Sequence, residues 1–164
     1  MRKTLGVFAL AIAFVTPVGA EPTTGMTSMQ YYVGTWSCQA GPIGRPASKS
    51  TASYTLDSGV LREWVDVPAQ GKMTKPYVIS IATTYDAKKG QYVQTGLDNQ
   101  AGWWVSSAKP WTGNIEQWAD HSNSDNKLGR GQVVRTDQNT FSFTSYGTLT
   151  ATKPNFKGTC NRSS

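Results

Sequence analysis

The sequence predicts an all-β chain: an antiparallel, up-and-down closed barrel of about ten strands with a short N-terminal helix. Turn chemistry recurs every 8–12 residues or so, the spacing typical of barrels and sandwiches. The connections are short, and short connections pair neighbouring strands antiparallel. Cys38 and Cys160 flank the strand series, so one covalent tie can join the first strand to the last. A long meander has two unpaired edges, and rolling it shut removes both. A β-sandwich is the competing arrangement, but Greek-key crossings need longer connections than most of those here.

The elements follow in chain order. Residues 1–20 read as a secretory signal peptide: Arg2 and Lys3 are basic, Leu5 to Val15 is apolar, and Pro17 precedes the small Ala20. The apolar run falls short of the roughly 20 residues that span a bilayer. Residues 21–164 are then one domain, periplasmic or secreted, without stable membrane insertion once the leader is removed. A lipoprotein is not expected, because no Cys stands at the cleavage point. A helical turn or two is expected over 27–33, with Thr27 or Ser28 as N-cap and Gly34 as its end, placed to plug one end of the barrel. Strands are expected at 34–40, 49–56, 60–67, 76–85, 91–98, 102–108, 114–120, 128–135, 140–148 and 155–160. Asp57-Ser58-Gly59, Asp86 to Gly90, Asp98 to Gly102 and Asp137 to Asn139 supply the turns.

Composition narrows the function classes. The formal charge is +6, or +4 without Arg2 and Lys3, and the basic residues are scattered. A nucleic-acid footprint would gather them on one face, so nucleic acid is not an expected partner. Two cysteines and one histidine are too few, and too far apart, for a metal site. In an oxidising compartment the cysteines are expected to pair as a disulfide, with two free buried thiols as the alternative. The chain-entropy model values so long a loop at about 4–5 kcal/mol, less any native strain.

Val33-Gly34-Thr35-Trp36-Ser37-Cys38 opens a longer pattern. It continues through Thr84-Tyr85-Asp86, Lys89 to Val93, Asp98 to Trp104, Ser107, Lys109 to Gly113 and Gln117-Trp118. The Gly-x-Trp resembles that of the lipocalin and calycin group. The ordered series resembles exported bacterial lipocalin-like domains of unknown function, loosely similar to nitrobindins. The resemblance implies a lipocalin-like barrel and brings no agreed activity with it. It departs from nitrobindins at Asn155 to Cys160, where no late-strand histidine stands ready for haem, and no cofactor is expected.

Six tryptophans lie beyond the leader, a heavy load for this length. Trp36, with Gly34, is expected to be structural: it seals the barrel floor and needs a partner for its indole N–H. The third strand sets Arg62, Trp64 and Asp66 on one face against Leu61, Glu63, Val65 and Val67. The seventh sets Glu116, Trp118 and Asp120 against Ile115, Gln117 and Ala119. Aliphatic faces inward would leave the charges in water. The opposite phase would place Arg62, Trp64, Glu116 and Trp118 inside as a polar-floored, aromatic-walled pocket for a flat ligand with a carboxylate or hydroxyl. Trp103 and Trp104 must point to opposite faces, with Trp104 expected near the mouth.

The expected function is binding of a small hydrophobic or aromatic ligand through Arg62, Trp64, Trp104, Glu116 and Trp118. A lyase or isomerase using Glu116 and Arg62 with a Tyr is the enzymatic alternative. An envelope interaction module using exposed Trp103 or Trp111 is the third. His121, beside Asp120, is poorly placed for a Ser-His-Asp triad.

Overall fold

The computed structural model describes residues 24–163, so the expected leader lies outside the described residues. A 3₁₀ helix, Thr24–Tyr32, leads into ten strands. They are β1 (Gly34–Pro42), β2 (Ser48–Asp57), β3 (Val60–Val67), β4 (Tyr77–Asp86), β5 (Gln91–Asp98), β6 (Trp103–Ala108), β7 (Ile115–Asn123), β8 (Arg130–Arg135), β9 (Thr140–Tyr146) and β10 (Phe156–Arg162). Each strand pairs antiparallel with its sequence neighbours, and β1 pairs with β10 to close the barrel. The sandwich alternative is thereby excluded. The helix begins three residues earlier than expected because Met26 belongs with Met29: both are fully buried against the floor of the barrel.

The seam between β1 and β10 sets Cys38 opposite Cys160, and the two form a disulfide. Both are buried on the inner face, so the link fastens the wall from within.

The helix end of the barrel is packed solid. Trp36 is wholly buried there, and its indole N–H donates to the Tyr32 carbonyl at 2.7 Å. Phe141 meets the Trp36 ring edge-on, with centroids 4.9 Å apart. Arg162, from β10, lies over the Trp36 ring, 4.3 Å from its centroid, and donates to the carbonyls of Val33 and Tyr31 at 2.6 Å each. Gly34 makes the turn out of the helix at a φ of 124°, and a Cβ there would sit against this guanidinium. Arg135, from β8, lies 3.6 Å over Trp111 and 4.3 Å over Tyr31, and donates to the Ser28 carbonyl at 2.7 Å. The two arginines thus tie the helix to the strands through carbonyls and ring faces. Trp111, expected as a possible exposed contact, is part of this floor.

Among the described residues, no helix is long and apolar enough to cross a membrane.

Candidate functional site

Above the floor the barrel is hollow. A cavity of about 590 Å³ runs from Tyr32 and Leu61 to the end opposite the helix, where Val67, Tyr77, Trp104 and Tyr146 line it. Part of this space exists because rings lie flat on glycine. Trp104 of β6 pairs directly with Gly96 of β5, and its indole rests where a Gly96 side chain would stand. Phe143 lies on Gly158 of β10 in the same way. A ring pressed to the wall gives apolar surface without filling the lumen.

Two carboxyls sit at the base of the cavity. Glu116 of β7 is 2 % exposed. One of its oxygens, Oε2, accepts from the Trp118 indole N–H at 3.0 Å and from the Tyr32 hydroxyl at 3.5 Å. Its other oxygen, Oε1, is buried without a hydrogen-bond partner. Glu63 of β3 accepts from the Tyr54 hydroxyl at 2.7 Å and keeps part of its surface on the cavity. The two tyrosines are stacked, with centroids 5.4 Å apart, so both carboxyls address one aromatic pair.

Burial sets the protonation of this group. Removal from water pushes the Glu63 carboxyl up to about 7, although the Tyr54 hydrogen bond favours the charged form. Burial likewise raises Glu116 to about 7, opposed by the bonds from Trp118 and Tyr32 and by the charge of Arg135. Tyr32 and Tyr54 are held well above the usual phenol range, first by burial and then by the neighbouring carboxylates, so both remain donors. The base of the lumen can therefore take up or give up protons near neutrality.

Trp104 of β6 lines the cavity, and Glu116 and Trp118 line it as the inward phase of β7 requires. The same phase for β3 is corrected. Arg62 and Trp64 stand on the outer face, with Trp64 50 % exposed, while Leu61, Glu63, Val65 and Val67 face inward. The pocket expected to hold Arg62 together with Glu116 therefore does not form, because Arg62 is on the outer face and Glu116 on the inner. The reason lies in the apolar load of each face. On β3 three aliphatic side chains outweigh one indole; on β7 the indole of Trp118 outweighs Ile115 and Ala119. Glu63 goes inside with its aliphatic neighbours, and the hydroxyl of Tyr54, its direct partner on β2, satisfies it there. The Glu63–Tyr54 contact was the residue pair that sequence reasoning missed. Its signal was the inward alternation of Ala52 and Tyr54 on β2, which fixes the phase of β3.

Trp103 is 42 % exposed on the outer wall, opposite in sense to Trp104. His121 is exposed, 2.6 Å from the Ser107 hydroxyl. Asp120 faces the lumen instead, where it accepts from the Gly129 N–H at 3.0 Å, so these residues do not assemble a triad.

No protein-family model matches the chain. No curated protein matches it either. Among solved structures, Rv2717c from M. tuberculosis is similar, with a TM-score of 0.64 and 12 % identity, over 88 % of this chain and 100 % of that one. A redesigned beta barrel, b11L5F_LGL, gives a TM-score of 0.44 and 15 % identity, over 82 % of this chain and 94 % of that one. At such identity the likeness to Rv2717c shows the fold alone.

Proposed function

We propose that the chain is an exported lipocalin-like barrel that binds a small, partly apolar molecule in its lumen. The observation that supports this best is the cavity itself: about 590 Å³, walled largely by aliphatic and aromatic side chains, with Glu63 and Glu116 at its base. Trp104 and Trp118 are the wall residues we assign to ligand contact, and Glu116 the polar anchor. Arg62 and Trp64, being outside, have no part in the lumen site.

Fluorescence tests the proposal. Trp104 and Trp118 should report a ligand by a change in emission when the protein is titrated with small acids, fatty acids, amines and aromatics. Replacing outer-wall Trp64 by Phe should leave the response in place. An unchanged spectrum across the panel overturns the binding reading.

Export is supported by the leader-like residues 1–20 and by the Cys38–Cys160 disulfide, which suits an oxidising compartment. The expected mature chain, a single domain, starts at Glu21, and mass spectrometry of protein recovered from the envelope or medium tests this. The looser relation to nitrobindins does not bring haem with it. The sole histidine, His121, is on the outside, so the lumen offers an iron no imidazole.

A second reading, proton-transfer catalysis, draws on Glu116, whose carboxyl is raised to about 7 beside a substrate-sized void. The two readings separate on the fate of the ligand. A binder returns it unchanged after incubation, whereas an enzyme converts it and loses that conversion in Glu116→Gln.

A further inference from the structure

The charge inside this barrel runs opposite to the charge of the chain. The whole sequence is formally +6, yet the charged side chains lining the lumen are Glu63, Glu116, Asp120 and Arg130. Arg130 is already engaged at the mouth. Its guanidinium lies 3.7 Å from the centroid of the Tyr146 ring and donates to the Ala151 carbonyl at 2.8 Å. Arg135 is in the floor, held by Trp111, Tyr31 and the Ser28 carbonyl.

Arg135 Nε and Trp111 Nε1 are buried donors without a partner, but both lie in the floor outside the cavity lining; the lining donors that reach the two glutamates are committed to them. Trp118 and Tyr32 donate to Glu116, and Tyr54 donates to Glu63. The capacity left at the two carboxyls is acceptor capacity, most plainly Glu116 Oε1, which is buried and unpartnered. A buried acceptor without a donor is destabilising, and a ligand that supplies the donor relieves that cost. Trp118, which also lines the cavity, adds an aromatic ring that attracts a cation.

Resting on the lumen as a binding site, we propose that its occupant is a cationic amine on a flat apolar body, its N–H groups held by Glu116 and Glu63. The apolar body occupies the wall lined by Ile79, Ile81, Val133, Phe143 and Trp104. A carboxylate-bearing ligand is disfavoured, because it would meet two carboxyls and no free cation at the base. Binding the ammonium stabilises both glutamates as carboxylates and so expels protons. The groups facing Glu116 are Tyr32 from the helix, Tyr92 from β5 and Arg135 from β8; those facing Glu63 are Tyr54 from β2 and Tyr32. The tyrosines stay neutral and Arg135 stays charged near neutrality, which leaves the glutamates as the groups that titrate.

Three probes of one shape decide the matter: 2-phenylethylamine, 2-phenylethanol and 3-phenylpropionate, titrated calorimetrically into the full chain. The amine should bind about tenfold or more tighter than the alcohol, the scale of one charge-assisted hydrogen bond. That preference should shrink as the pH is lowered from about 8 to about 5. Glu116→Gln should narrow the preference, with the amine losing more affinity than the alcohol. Should that variant not fold, the three-probe comparison on the natural chain still decides. Alcohol or propionate binding as tightly as the amine overturns the amine assignment and leaves the lumen reading standing. No binding by any of the three overturns the amine assignment as well, and the wider fluorescence panel then judges the lumen.

Discussion

Strands β3 and β7 have the same alternating grammar and opposite orientation. Each sets a tryptophan between charged residues on one face and apolar residues on the other. In β7 the tryptophan face turns in; in β3 it turns out. Both strands nevertheless deliver a glutamate to the lumen, Glu116 with its tryptophan and Glu63 with its valines. The difference teaches that alternation fixes which residues share a face and leaves the sense of that face open. The sense is decided by the summed apolar area of each face and by the neighbouring strands that lock the register.

The contrast can be broken at its common frame or sharpened strand by strand. The largest effect is expected from Cys38→Ser with Cys160→Ser. Opening a link between residues 122 apart should lower stability by up to about 5 kcal/mol, read as a shift in urea midpoint, and should loosen β3 and β7 alike. Next comes Trp118→Ala. It empties part of the inner wall and removes a donor from Glu116, for a loss of about 3 kcal/mol by the same measurement.

The two glutamates give the third effect. Both are raised from 4.5 to about 7, so between those values the folded chain holds more protons than the unfolded one. Stability should therefore be highest below about pH 4.5 with respect to these groups, decline as pH rises, and level off above about 7. The fall should be about 3 kcal/mol for Glu116, with Glu63, partly open to the cavity, adding a smaller share. Glu116→Gln and Glu63→Gln should each flatten the slope of melting temperature against pH, and Arg62→Gln should leave it alone. The smallest effect belongs to the outside: Trp64→Ala should change stability by less than about 1 kcal/mol, in contrast to Trp118→Ala.

Much of the fold was legible because turns speak locally. Asp57-Ser58-Gly59 places Ser58 and Gly59 at positive φ, and the hairpin between β2 and β3 follows. The pairing of Cys38 with Cys160 followed from their positions at the two ends of the strand series. The site was legible on β7 and illegible on β3. Glu63 shares a face with Leu61, Val65 and Val67, and only its pairing with Tyr54 of β2 shows how a carboxyl is satisfied there. The hollow itself was also hidden, since a lumen depends on how rings lie. Gly96 beneath Trp104 marks such a place, but nothing local says that those two residues will be partners.

The seam between β1 and β10 has a consequence for how the barrel comes into being. The first strand formed during synthesis has its final partner at the far end of the polypeptide. Until Phe156–Arg162 arrives, β1 presents an open edge, and the helical plug lacks the Arg162 contacts to Val33 and Tyr31. Contacts so remote along the chain favour slow assembly. A nascent chain stalled before β10 would expose both a strand edge and an apolar floor, the two features that invite association with other chains.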